Sequence, residues 1–410
     1  MSQEFLFHTL GNGLKLVAEK MPGVRSAAMS LLTPAGASSD PVGKLGTANV
    51  LSELILRGAG GRNSRELTDH LDRLGLQRSS AAGVLHTRLG AAALSANVMA
   101  GLDAYADVLL RAKLEPADFE PALDLALQAL EGIDDDPRQK LSIKLRETHW
   151  PWPLGRNPMG DKADLESLTL DDLKVAYRSR YRPDGTILAV AGDVDFEFLK
   201  AKAESLFGAW TAAEVAPVAA PGLRGKYHYE QQKTEQTHIG LAYESVDETH
   251  PDYYPARLAT EVLSGGMSGR LFTEIREKKG LVYSVSAGFS SFPGRGAIMG
   301  YAGTSNERAQ QTLDQFLIEL HRLSDGVTAD ELSRAKIGLK SSTIMSGESS
   351  GARAGAIAHD AFIRGRLRTI DEIVKSIDAV SLDRVNTYLA THRPKDFTIV
   401  IVGPKELKLP

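Results

Sequence analysis

Residues 167–194, SLTLDDLKVAYRSRYRPDGTILAVAGDV, have a counterpart at residues 379–404, AVSLDRVNTYLATHRPKDFTIVIVGP. Both place an acidic first turn after a leucine (Leu170, Leu382), then a helix, then an Arg-Pro stop at Arg182-Pro183 or Arg393-Pro394. An apolar run follows in each and ends at Gly192 or Gly403, the reading of a buried strand. The offset is 211 residues, about half of the 410-residue chain. A shared order of cap, helix, stop and strand at that spacing points to an internal duplication.

Outward from this pair, strand-like and helix-like segments interleave. LKLVAEK and SAAMSLLTPAG read as strands, 46–57 as a helix, and 64–74 as an amphipathic helix with Ser64 as its cap. Two more strands are expected near 76–82 and 86–96, helices dominate from about 99 to 150, and a further helix lies near 170–180. Hairpins mixed with helix blocks indicate an α+β chain rather than strict βαβ alternation. The expectation is two homologous α/β-layer domains, 1–210 and 226–410, each a mostly antiparallel sheet packed with helices. The Ala- and Pro-rich stretch 211–225, TAAEVAPVAAPGLRG, is the linker between them.

Composition narrows the function. A formal charge of −4 with no long basic block argues against nucleic acid as a partner. With no Cys, disulfides, thiolate metal sites and cysteine nucleophiles are excluded. The N-terminus alternates around a Gly-Asn-Gly turn and lacks a secretory leader, and no apolar stretch has the length of a membrane span. A cytoplasmic protein without a membrane partner is expected. Asp134-Asp135-Asp136-Pro137 lacks the spacing of a calcium loop and reads as a turn at the end of a helix.

The chemistry centres on residues 46–61, GTANVLSELILRGAGG. On a helix, Val50, Leu51, Leu54 and Ile55 form an apolar stripe. Asn49, Ser52 and Glu53 cluster on another face at i, i+3 and i+4. That is the geometry of H-x-x-E-H, in which two imidazoles one turn apart hold zinc and the Glu activates water.

Several stretches carry a resemblance: TLGNGLKLV, GTANVLSELILRG, RPDGTILAVAGDV, MSGRLFTEIREKKGLVYSV, DELSRAKIGLKSS and IDAVSLDRV. Together they run nearly end to end, and the sequence resembles the pitrilysin/insulinase metallopeptidase family, in its mitochondrial-processing-peptidase-like branch of half-length chains. The resemblance implies a duplicated chain forming half of a clamshell around peptide. It places the first His at Asn49, the general-base Glu at Ser52, the second His at Glu53, the third ligand at Ala129 and a helper Glu at Ala122. On a helix over 117–131, Ala122, Ala126 and Ala129 share one uncharged face. One carboxylate, Glu53, cannot hold catalytic zinc, which takes three protein ligands. No metal or other cofactor is expected in this chain; zinc is expected in the partner subunit.

The resemblance also implies that Arg276 and Tyr283 bind substrate, their guanidinium and phenol donating to the carbonyl of the bond being cut. The competing expectation is that Arg276 pairs with Glu274 or Glu277 and that Tyr283 simply packs. Met267 to Lys278 reads as a helix stopped by Gly280, with Tyr283 opening a strand. Gly265, Gly266 and Gly269 lack the ending of a phosphate loop. The hairpin 75–89 is where the family places a sheet edge that accepts extended peptide. The expected function is a non-catalytic subunit of a heterodimeric zinc endopeptidase, paired with a homologous H-x-x-E-H chain and binding unfolded peptides. A scaffolding protein and a peptide-binding homodimer without hydrolysis are the alternatives.

Overall fold

The computed structural model describes residues 3–211 and 225–409. Apart from its two end residues, the expected linker at 211–225 lies outside them. Strands β1 (Glu4–Thr9), β2 (Lys15–Lys20) and β3 (Ser26–Thr33) precede helix α1 (Thr47–Leu54) and the short pair β4 (Gly58–Ala59) and β5 (Arg62–Asn63). Helix α2 (Ser64–Arg73) and the hairpin β6 (Gln77–Ala82) and β7 (Thr87–Leu94) follow. Next come α3 (Ser95–Arg111), α4 (Pro116–Glu131), α5 (Pro137–His149), α6 (Lys162–Glu166), α7 (Leu170–Arg180), β8 (Ile187–Gly192) and α8 (Phe196–Phe207). The second half begins with β9 (Tyr227–Gln231), β10 (Gln236–Ser245), α9 (Tyr253–Ser264), a π-helical segment (Phe272–Glu277), β11 (Ser284–Phe292) and β12 (Arg295–Ser305). It ends with α10 (Ala309–Arg322), α11 (Ala329–Ser346), α12 (Ser350–Arg364), α13 (Ile370–Asp378), α14 (Leu382–Thr391) and β13 (Thr398–Gly403).

The duplication is a duplication of topology. One sheet has the order β1-β2-β8-β3-β7-β6 and the other, read from its far edge, β9-β13-β10-β12-β11. In each, a single parallel pair (β2 with β8, β9 with β13) sits beside antiparallel neighbours. The mostly antiparallel two-domain α+β reading therefore holds. Strand β1 is the addition, pairing antiparallel with β2 at the sheet edge. Helices α7 and α14 start at Leu170 and Leu382, capped by Thr169 and Ser381 respectively.

The contiguous domains 1–210 and 226–410 need correction at two helices. The compact units are Met1–Glu131 with Arg156–Ala220 and Ser346–Thr369, and Gly132–Gly155 with Pro221–Met345 and Ile370–Pro410. Helix α12 therefore belongs with the first sheet and α5 with the second, each from the opposite half of the sequence. The reason lies in the central strands. Every residue of β8 and of β13 is buried, and a strand covered on one face only would alternate. On one side of the first sheet lies the large core containing α1, α3 and α4. On its other side Ala354, Ile357, Ala358 and Ala361 of α12, at helical spacing, meet Val17, Ala28, Ile187 and Ala189. Burying Ile357 alone is worth about 1.5–3 kcal/mol. In the second sheet Leu141 and Leu145 of α5 do the same against Ala242, Val400 and Val402.

Two local expectations also change. The cap of α2 is Asn63, whose side chain accepts from the Glu66 amide while Glu66 accepts from the Asn63 amide. The helix expected from Met267 to Lys278 is a turn followed by helix from about residue 270, π-helical over Phe272–Glu277. The amide of Lys278 donates to the Thr273 carbonyl across the wider turn.

Candidate functional site

The first candidate region is α1 and its neighbours. Gly46 enters the helix with φ +95°, a left-handed conformation suited to glycine; a Cβ there would meet Leu165 Cδ2 at 2.5 Å. Glycine offers no capping side chain, and a distant carboxylate takes that role: Gly46 and Ala48 amides donate to Asp40 at 3.0 and 3.1 Å. Asp40 is buried and paired with Arg180, 2.6 Å away. Burial pushes its carboxyl upward, against the pull of Arg180 and the two amides. Arg156 ties the same loop by donating to the carbonyls of Ala37, Ser38 and Asp40.

On this helix the apolar stripe Val50, Leu51, Leu54 and Ile55 is fully buried. Ser52, only 5% exposed, donates its hydroxyl to the Asn49 carbonyl at 2.8 Å. Glu53 lies 3.2 Å from Arg57 as an i,i+4 ion pair. Asn49 is half-buried. On α4, which packs against α1, Ala122 and Ala126 are buried and Ala129 emerges into solvent. Tested against zinc, this donor set does not fit. One carboxylate is engaged, one hydroxyl is turned to the backbone, and the amide and methyl groups at the other positions supply no anionic or imidazole ligand. Among the described residues no group of three or more His, Asp or Glu side chains is placed to hold a metal.

Beside α1 runs β6, the edge strand of its sheet, exposed along nearly its whole length. Ser80 Oγ donates to the Ser52 carbonyl at 3.1 Å, joining strand to helix. One side of β6 is paired with β7, and the other is an open edge of backbone donors and acceptors. Asp136, from the acidic triplet, caps α5 through the Gln139 amide.

The second region belongs to the other unit. Arg270, at the head of the π-helical stretch, is 8% exposed. It makes a two-pronged pair with Glu331 of α11 (2.7 and 2.9 Å) and donates to the Gly326 carbonyl. The hydrogen bonds from Arg270 hold the Glu331 carboxyl down at about 2. With that anchor in place, Arg276 is exposed and its guanidinium lies 5.1 Å from the Phe272 ring centroid. Glu274 pairs with Lys278 and Arg322 instead, and among the described residues Arg276 makes no ion pair. Gly280 turns the chain at φ +58°. Tyr283 follows with its amide donating to Gly303, its side chain 60% exposed, immediately before β11. Neither the ion pairing nor the packing expected as the bland alternative is found. The glycine-rich stretch 265–269 follows helix α9, not a strand, which removes the strand–loop–helix context of a phosphate loop.

Sequence reasoning missed Arg270, Glu331 and the Phe272 stacking partner. An i,i+4 Phe-Arg spacing could have flagged the last, but nothing local announced the Arg270–Glu331 pair.

Duplicated sheet, helix-covered faces and this segment together define a class, and sequence comparison names it. The chain belongs to the peptidase M16 family: residues 15–162 match the insulinase (peptidase family M16) domain and residues 167–339 the peptidase M16 inactive domain. It is similar over nearly its whole length to an uncharacterized zinc protease of Bacillus subtilis, 27% identical over 402 residues, covering 97% of this chain and 98% of the relative. Among solved structures, a peptidase M16 inactive domain from Pseudomonas fluorescens shares the fold with TM-score 0.90 at 21% identity, covering 99% of both chains. A chain of complex III2 from Candida albicans shares it with TM-score 0.84 at 19% identity, covering 97% of this chain and 96% of that one. Among the described residues no helix is long and apolar enough to cross a membrane.

Proposed function

We propose that this chain is a non-catalytic subunit of the mitochondrial-processing-peptidase-like branch, which binds unfolded peptide and works beside a homologous chain carrying an intact H-x-x-E-H zinc site. One observation carries the reading: Asn49, Ser52, Glu53 and Ala129, where the resemblance puts the metal site, offer no zinc ligand set, while Arg276 and Tyr283 are exposed and, among the described residues, without an ion pair. A guanidinium steadied by an aromatic ring keeps its N–H edges for a carbonyl oxygen. A phenol can donate to the same group. Such donors stabilise negative charge as it develops on a peptide carbonyl. The open edge of β6 can take an extended backbone by strand addition, largely independent of sequence.

The relative from Bacillus subtilis is called a zinc protease, and the donor set Asn49, Ser52, Glu53 and Ala129 supports a non-catalytic reading for this chain. The experiment is direct. Metal analysis of the purified chain is expected to find no stoichiometric zinc, and peptide hydrolysis is expected only after the H-x-x-E-H chain is added. Tight stoichiometric zinc in the lone chain would sink the reading. A scaffolding role, suggested by the fold shared with a chain of complex III2, predicts that Arg276→Ala and Tyr283→Phe leave the activity of the mixture unchanged.

A further inference from the structure

A cleft of about 330 Å³ adjoins Tyr283. Its wall on one side is the turn Gly280–Val282 with Tyr283, and on the other Ser305, Glu307 and Arg308, which lead from β12 into α10. Leu281 and Val282 are buried and give the cleft a fixed apolar floor. Arg276 is not part of the lining, so the space lies beside the substrate pair rather than between its members.

The charged groups here are not equivalent. Glu307 is satisfied locally: its own backbone amide first, then the Ser305 hydroxyl, hold its carboxyl below the ordinary range. Arg308 donates through Nη1 to the Gly280 carbonyl, which fixes the guanidinium at the mouth of the cleft. Among the described residues it makes no ion pair. A guanidinium has five N–H donors in a planar fork, so one bond to a carbonyl leaves an edge for a carboxylate. Arg308 and Lys405 both lie within electrostatic reach of the Glu307 carboxyl, and Lys279 precedes the Gly280 turn. The local balance is cationic.

We infer that this cleft is a side-chain subsite, with Arg308 as its specificity-determining residue, and that it selects peptides carrying Asp or Glu close to the segment held by Tyr283. The inference rests on the peptide-binding reading of Arg276 and Tyr283 and names the substrate class for it. The space accommodates a carboxylate side chain, the floor packs its methylenes, and Arg308 meets its charge.

The test uses the purified full chain and three labelled unstructured peptides that differ only in a central Glu, Gln or Lys, with affinity read by fluorescence anisotropy. A partly exposed ion pair predicts the Glu peptide to bind about fivefold tighter than the Gln peptide and the Lys peptide to bind weakest. The preference should shrink at high salt. Arg308→Gln should bring the Glu-to-Gln ratio close to one, and Arg308→Lys should keep part of it. Arg65→Gln, which removes an exposed charge in the other unit, should leave the ratio at its wild-type value. Matched thermal melts show that the variants are folded. Equal binding of the three peptides by the wild-type chain, with all three weakened by Arg276→Ala and Tyr283→Phe, overturns the subsite and leaves the substrate pair standing. Binding of none of them overturns both.

Discussion

The α1 face of one unit and the Arg276–Tyr283 segment of the other differ in where their polar groups are directed. On α1, the Ser52 hydroxyl turns back to its own helix and Glu53 closes on Arg57. In the other unit, a buried anchor between Arg270 and Glu331 holds the backbone, while Arg276 and Tyr283 face solvent with no charged partner among the described residues. A helix kept for packing satisfies its polar groups internally. The Arg276–Tyr283 segment has a satisfied frame and leaves its tips open, as the proposed binding role requires. The difference lies in polar groups closed on their own helix in one region and left open to solvent in the other.

The comparison can be broken at α1 by returning the donors. Asn49→His, Glu53→His and Ala129→Glu together are expected to create stoichiometric zinc binding in the micromolar range or tighter, on the order of 8 kcal/mol, measured by calorimetry. No binding would mean that the packing of α1 on α4 no longer matches a metal site. A sharper contrast is predicted within α1 itself. Leu51→Ala should cost about 2–5 kcal/mol by denaturant unfolding, because it empties a buried position. Asn49→Ala should change stability by less than about 0.5 kcal/mol. At the anchor, Glu331→Gln is expected to cost about 2 kcal/mol by leaving buried Arg270 short of its charged acceptor.

The same anchor gives an effect in acid. Glu331 is depressed from its ordinary 4.5 to about 2 in the folded chain. Its contribution to stability is complete above the unfolded value and is lost as pH falls through the folded one. The stability gap between wild type and Glu331→Gln should therefore narrow as pH falls from about 4.5 toward 2. A gap independent of pH would show that the carboxylate charge is not what holds Arg270.

Much of the fold was legible because its signals are local or periodic. The apolar runs ending at Gly192 and Gly403 marked the central strands, and the acidic first turns after Leu170 and Leu382 marked the helices before them. The exchange of α5 and α12 was not legible. A continuous apolar run says that both faces are covered, but no local pattern says which helix, about 160 residues away in sequence for β8 and about 250 for β13, covers the second face. The π-helical turn was equally hidden, since FTEIRE carries an ordinary helical composition. At the candidate site the residue types at Asn49, Ser52, Glu53 and Ala129 could be read from the sequence alone. Whether Arg276 and Tyr283 were packed away or exposed depended on tertiary structure.

The central claim is that this chain contributes binding groups to a site whose metal sits on a homologous partner. The most direct measurement is peptide hydrolysis by the chain mixed with that H-x-x-E-H partner, comparing wild type with the Arg276→Ala, Tyr283→Phe double variant. The wild-type mixture is expected to be active, and the folded double variant to lose activity on the order of a hundredfold or more. Equal rates for the two mixtures would contradict it.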